Sequence, residues 1–149
     1  MPKMSGIILV LLRVALGWLM LYSGFNKLMN PDWSAAGYLQ GAQTFKPLYD
    51  YFISPGVLPI VNALNEWGQT LLGVSLILGA FVRLSSVLGA LLMLLYYIPI
   101  LQFPIVGEHS YIVDEHIIYA LILLYFAAVG AGRTWGLDKW ISKKFPPFS

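Results

Sequence analysis

Cysteine is absent from the 149 residues, which removes thiol–disulfide exchange, thiolate metal sites and iron–sulfur clusters from the chemistry this chain could carry alone. Histidine is scarce: His109 and His116 are the only two, and without a spaced His/Cys set they form no metal-ligand pattern. Charge is scarce as well, at 11% of residues, and the net charge of +2 comes from basic residues scattered near segment ends. No basic patch with interleaved aromatics is formed, so nucleic acid is not an expected partner. Redox chemistry here would need a bound carrier, and neither metal, flavin nor iron–sulfur cluster is expected.

What the chain has instead is apolar length. Hydrophobic residues make up 58% of it, the composition of an integral membrane protein. Residues 1–149 are expected to be one unit, too short for a separate water-soluble catalytic domain. Four stretches approach the 20 or so residues that cross a bilayer: Ile7–Leu28, Pro59–Phe81, Leu84–Phe103 and Val113–Ala131. Arg13 interrupts the first, which is also longer than a signal-peptide core, so it reads as a retained span. Only Val82 and Arg83 separate the second span from the third, predicting a tight hairpin.

Lys3, Arg83, Arg133, Lys139, Lys143 and Lys144 fall on one side of these spans, against Lys27 and Lys46 on the other. The positive-inside rule then places both termini in the cytoplasm of a multi-pass cell-membrane protein. The loop from Met29 to Leu58 faces outward with the shorter Pro104–Ile112 connection. That loop carries Trp33, Tyr38, Phe45, Tyr49, Tyr51 and Phe52, so part of it is expected to lie in the interface as a helix or re-entrant piece. It either caps the outer mouth or serves as an aromatic belt. Trp135 to Lys144, with Trp140 and Ile141 among lysines, reads as a short amphipathic piece suited to an anionic inner leaflet.

The second span contains a polar ladder: Asn62, Asn65, Glu66, Gln69, Thr70 and Gly73 fall on one helical face. Such a face is excluded from lipid, and an ionisable residue at that depth is a functional candidate. The other spans have seams of their own: Arg13, Gly17, Met20, Gly24 and Lys27; Ser86, Gly89, Met93 and Tyr96; His116, Tyr119, Leu123, Phe126, Gly130 and Arg133. Four seams predict an all-α fold, an antiparallel four-helix bundle with a partly polar core and the aromatic loop between its first two helices.

Counting depth at 1.5 Å per residue puts Glu66 about 10 Å below the outer boundary, with Tyr96 and Tyr119 at a similar level, His116 shallower and Lys27 able to bend inward. Arg13 enters from the opposite side. This layer offers a carboxylate, an imidazole, two phenols, an ammonium and the acidic pair Asp114 and Glu115. Apolar walls, fixed donors and titratable groups are what a quinone needs to be held and to exchange protons. Plain alternatives stay open. Asp114 and Glu115 suit the first turn of a helix, His116 and Tyr119 suit interhelical hydrogen bonds, and Glu66 could be clamped by Lys27 or Arg13.

The runs LRVALGWLMLYSGFNKL (Leu12–Leu28), WSAAGYL (Trp33–Leu39), LNEWGQTLLGVSLILGAFVR (Leu64–Arg83) and DEHIIYALILL (Asp114–Leu124) resemble the DoxX/DoxD-like family of small four-span membrane proteins. The resemblance implies membership of a set that includes the membrane subunit of thiosulfate:quinone oxidoreductase, which works with a second, smaller subunit. It carries over to Arg13, Gly24, Lys27, Asn65, Glu66, Trp67, Gly68, Arg83, Asp114, Glu115 and His116.

The expected function is therefore redox-linked quinone binding near the outer face. Glu66, His116 and Asp114 would exchange protons, while Arg13, Lys27, Asn65, Tyr96, Glu115 and Tyr119 would hold the carrier. Lys27 and Arg13 would supply positive charge for a semiquinone or for an oxyanion such as thiosulfate. The expected partners are the bilayer, quinone, a second oxidoreductase subunit and a further copy of the chain. The alternative is a non-enzymatic membrane scaffold or assembly factor for a redox partner, with a small-solute carrier behind it because four spans offer a narrow pathway.

Overall fold

The computed structural model describes residues 3–144. The extreme ends of the expected single unit lie outside the described residues. The chain is mostly helical. Its four long helices are α1 (Lys3–Met29), α4 (Leu58–Leu78), α5 (Val82–Ile100) and α6 (Glu115–Val129), with short helices α2 (Ala36–Gln40) and α3 (Lys46–Ile53) between the first two. By length and composition α1 and α5 can cross a membrane, while α6 is apolar but has only 15 residues. The 21 residues of α4 are long enough but carry the polar ladder.

Two boundaries differ from expectation. The hairpin turn is Gly79–Phe81, and Val82 and Arg83 already belong to α5. Gly79 adopts φ 66°, a left-handed conformation that ends α4 without a Cβ penalty. At the other end, Gly130 with φ 61° stops α6 at Val129, so Arg133 leaves the helical seam for a 3-10 turn, Ala131–Arg133. A short helix α7 (Asp138–Ile141) follows.

Consecutive long helices alternate in direction. α1 packs mainly on α4 and α5 mainly on α6, while contact between α4 and α5 is sparser. Glycine sets the first pairing. A Cβ at Gly24 would lie 2.4 Å from the Thr70 nitrogen, and one at Gly73 would lie 2.4 Å from the Leu21 nitrogen, so the two backbones touch where neither has a side chain. The core between the pairs includes Leu16, Met20, Leu72, Leu76, Met93, Leu123 and Phe126. The predicted seams bury Arg13, Gly17, Met20 and Gly24 in α1, and Ser86, Gly89 and Met93 in α5.

The aromatic loop forms a cap with its own small core of Ala35, Leu39, Ala42 and Tyr49. Pro99 explains where the cap attaches. Without an N–H, it leaves the Leu95 carbonyl of α5 without its helical partner. The Tyr49 hydroxyl donates to that carbonyl at 3.1 Å, and the Tyr38 hydroxyl donates to the next one, Tyr96, at 2.5 Å. Burial, foremost, pushes both phenols above the ordinary phenol value, so they remain donors at neutral pH. Tyr49→Phe is expected to destabilise by about 1–3 kcal/mol, because a buried carbonyl is left unpaired. Faster amide exchange in α2 and α3, with α1 and α4 unchanged, is the reading that checks it.

The connection of α5 to α6 is a small antiparallel sheet, β1 (Leu101–Gln102), β2 (Ile105–Val106) and β3 (Ser110–Tyr111), in the order β1-β2-β3. Gln43 and Thr44 of the cap bond to the carbonyls of Pro99 and Leu101, so cap and sheet close the same end of the helices.

Candidate functional site

The polar layer assembles around Lys27, in the last turn of α1. Its ammonium donates to Gln69 Oε1 at 2.5 Å and to the Tyr96 hydroxyl at 2.9 Å, joining α1, α4 and α5 in one network. The Tyr96 hydroxyl donates onward to Asn65 Oδ1 at 2.5 Å, and the Ser23 hydroxyl donates to Gln69 Oε1 at 3.0 Å. The ammonium also lies 5.1 Å from the centre of the Trp33 ring, within cation–π range. Trp33 belongs to the aromatic loop, so the cap supplies a wall of the site.

His116 arrives from α6 and stacks on Tyr96, with ring centres 5.6 Å apart and planes at 12°. Its Nδ1 lies 2.6 Å from Asp114 Oδ2. The other oxygen of that carboxylate accepts from the backbone N–H groups of His116 and Ile117, so Asp114 is the N-cap of α6 and the orienting partner of the imidazole at once. With Nδ1–H held by a carboxylate, Nε2 is the nitrogen left to exchange a proton.

These side chains border a partly open cavity of about 170 Å³ lined by Leu19, Met20, Ser23, Lys27, Gln69, Met93, Tyr96, His116 and Tyr119. A second cavity of about 180 Å³, almost wholly apolar, lies under the cap, and Asn65 and Tyr96 line it. Tyr96 thus forms a wall of both. Among the described residues, no group of three or more His, Asp or Glu side chains is arranged to hold a metal ion.

Of the expected site residues, Lys27, Asn65, Tyr96, Tyr119, His116 and Asp114 gather at this end. Three do not join them. Glu66 is half-buried and lines neither cavity; its charge acts on Lys27, but no hydrogen bond or ion pair with a described residue reaches its carboxylate, so the alternative of a clamp by Lys27 or Arg13 is not formed. Position explains this: α4 turns Asn65 and Gln69 into the core and leaves Glu66 one step around the helix. Glu115 is exposed on the outer side of the first turn of α6. Arg13 lies 14 residues from Lys27, about 21 Å along α1.

Arg13 instead builds a separate centre at the opposite end. It is 1% exposed, donates from Nη1 to the carbonyls of Ala131 (2.6 Å) and Thr134 (2.9 Å), and reaches the Trp135 carbonyl from Nη2 at 3.3 Å. Asp138, equally buried, accepts from the backbone N–H of Phe81 at 2.6 Å and of Val82 at 3.0 Å, capping α5. Residues 134–138 therefore plug this end of the helices. Sequence reasoning missed Asp138, the lone acid among the C-terminal lysines, and gave Gln69 no role beyond the ladder.

No curated protein and no solved structure matches the chain. The DoxX family model matches residues 8–100, which takes in α1 through α5 and, of the site, Lys27, Gln69 and Tyr96. Over more than half its length, and with two helices apolar enough to cross a bilayer, the chain is a membrane protein that belongs to the DoxX family.

Proposed function

We propose that all four long helices cross the bilayer with both termini cytoplasmic, and that the cavity beside Lys27 binds the ring of a quinone near the outer face. Large apolar side chains support the first part: Leu11, Trp18, Leu71, Leu88, Leu91 and Leu121, drawn from all four helices, each expose more than half their surface. Exposed apolar surface of that extent on every long helix calls for lipid. The distribution of Lys and Arg supports the orientation.

The observation that carries the second part is the composition of the cavity wall, with Lys27, Gln69, Tyr96 and His116 facing Leu19, Met20 and Met93. A dry cavity of about 150 Å³ accommodates one benzene ring, so this one has the volume for a single ring. A bound quinone would supply a two-electron, two-proton couple. The protein's share is to hold and to protonate. Lys27 uses two of its three N–H groups on Gln69 and Tyr96, leaving one for a carbonyl oxygen. His116 would exchange a proton through Nε2 while Asp114 fixes Nδ1, and Glu66 would bias the local field from behind α4. Lys27 is also better placed than Arg13 to meet an oxyanion such as thiosulfate from outside. Family resemblance adds the membrane subunit of a thiosulfate:quinone oxidoreductase, with a second subunit as partner, as the specific form of this reading.

One observation favours the scaffold alternative: Lys27, Tyr96 and Asn65 already satisfy one another. Mass spectrometry of the lipid-soluble material that co-purifies with the protein separates the two. The expected result is stoichiometric quinone in the wild type and at least tenfold less in Lys27→Met, the loss of one charged hydrogen bond of about 1.5–3 kcal/mol. Glu66→Gln is expected to retain most of it. If quinone is absent and added quinone leaves the unfolding temperature unmoved, while Lys27→Met unfolds early, the polar layer is structural and the scaffold reading stands.

A further inference from the structure

The plug that Arg13 and Asp138 hold in place has an outward side, and its chemistry is opposite to its inward side. Asp138 turns its carboxylate into the core, where it caps α5, whereas Arg133 and Lys139 sit at the exposed surface. With Trp135 and Trp140, each 75% exposed, these two cations line a pocket of about 560 Å³ whose floor includes Leu78. Trp135 holds its indole outward from a backbone at φ 49°, a left-handed conformation uncommon for a bulky residue.

Leu78 also lines the lower end of a second feature, an apolar groove of about 650 Å³ opened where α4 and α5 pack sparsely. Leu71, Leu84 and Leu88 form its sides, and Gly68 leaves it unobstructed: a Cβ there would meet only Leu92, at 4.0 Å. From Leu64 to Leu78 the groove follows 14 residues of α4, about 21 Å. One leaflet contributes about 15 Å of hydrocarbon, half the bilayer core. A cationic, tryptophan-rimmed pocket and an acyl-length trough therefore share a residue. Tryptophan and basic side chains are the groups that favour the headgroup level of a membrane.

We propose that this end of the molecule binds an anionic phospholipid, its phosphate between Arg133 and Lys139 under Trp135 and Trp140, and one acyl chain in the α4–α5 groove. The headgroup pocket lies at the opposite end of the helices from the Lys27 cavity, and the proposal stands or falls independently of quinone binding.

Native mass spectrometry of delipidated protein with added phosphatidylglycerol or phosphatidylcholine tests it. Wild type is expected to retain phosphatidylglycerol at least tenfold better, and the Arg133→Gln/Lys139→Gln double variant to lose that preference. The charge-conserving Arg133→Lys/Lys139→Arg pair should keep it, which separates lost charge from lost fold. Gly68→Leu, with both cations intact, should weaken retention by filling the groove, and millimolar inorganic phosphate should fail to displace the lipid. Equal retention of the two lipids, or an unchanged preference in the double variant, overturns the proposal. Displacement by phosphate would make the pocket a free-phosphate site, and full retention in Gly68→Leu would remove the acyl chain from the groove; either result overturns it as well.

Discussion

Replacing Asp138 by alanine is expected to cost about 3 kcal/mol or more, the largest loss from any single exposed-loop or plug residue. Two backbone N–H groups at the start of α5, those of partly exposed Phe81 and fully buried Val82, lose their acceptors, and a buried unpaired donor costs about 1–3 kcal/mol. Arg13, which also feels the Asp138 charge, would be left buried with carbonyls alone. The expected fall in unfolding temperature is about 6 °C or more. Asp138→Asn keeps one acceptor and should lose roughly half as much. A neutral Asp138→Ala would mean that α5 is capped in some other way.

Gly24→Ala adds one methyl group and is expected to destabilise by about 1–3 kcal/mol, the usual range for overpacking. The new Cβ would sit 2.4 Å from the Thr70 nitrogen and 2.5 Å from its Oγ1, so a helix rather than a side chain must move. The displaced surface carries Lys27 on one helix and Gln69 on the other, and the 2.5 Å bond between them should lengthen. Loss of bound quinone and loss of thermal stability should therefore appear together. Gly37→Ala is the control: nothing lies within 4 Å of a Cβ there, and the position is helical, so no loss is expected. Equal tolerance of both substitutions would show that α1 and α4 have slack at Gly24.

The helices were legible because apolar runs of fixed length leave few alternatives, and their observed limits agree with the expected ones to within a few residues. Helical depth alone brought Lys27, Tyr96, His116 and Tyr119 to one level, and all four line the same cavity. Azimuth was harder. A polar face holding Asn62, Asn65, Glu66 and Gln69 spans about 100°, and only the position of α1 decides that Asn65 and Gln69 face inward while Glu66 stays at the edge. The partners of Arg13 and Asp138 were out of reach for a different reason: both use backbone groups, and side-chain patterns carry no record of which carbonyl or N–H lies opposite. Pro99 was a usable signal that went unread. It marks a carbonyl in need of a donor, and the loop of tyrosines is where the donors are.

The cavity beside Lys27 is divided between the two interlocked helix pairs. Leu19, Met20, Ser23, Lys27 and Gln69 come from α1 and α4, whereas Met93, Tyr96, His116 and Tyr119 come from α5 and α6. The Lys27–Tyr96 hydrogen bond crosses the seam between them and acts as its bolt. An oxygen atom bound by the third N–H of Lys27 would join that bolt rather than replace it, so a ligand that fits the joined pairs better than parted ones would hold them together.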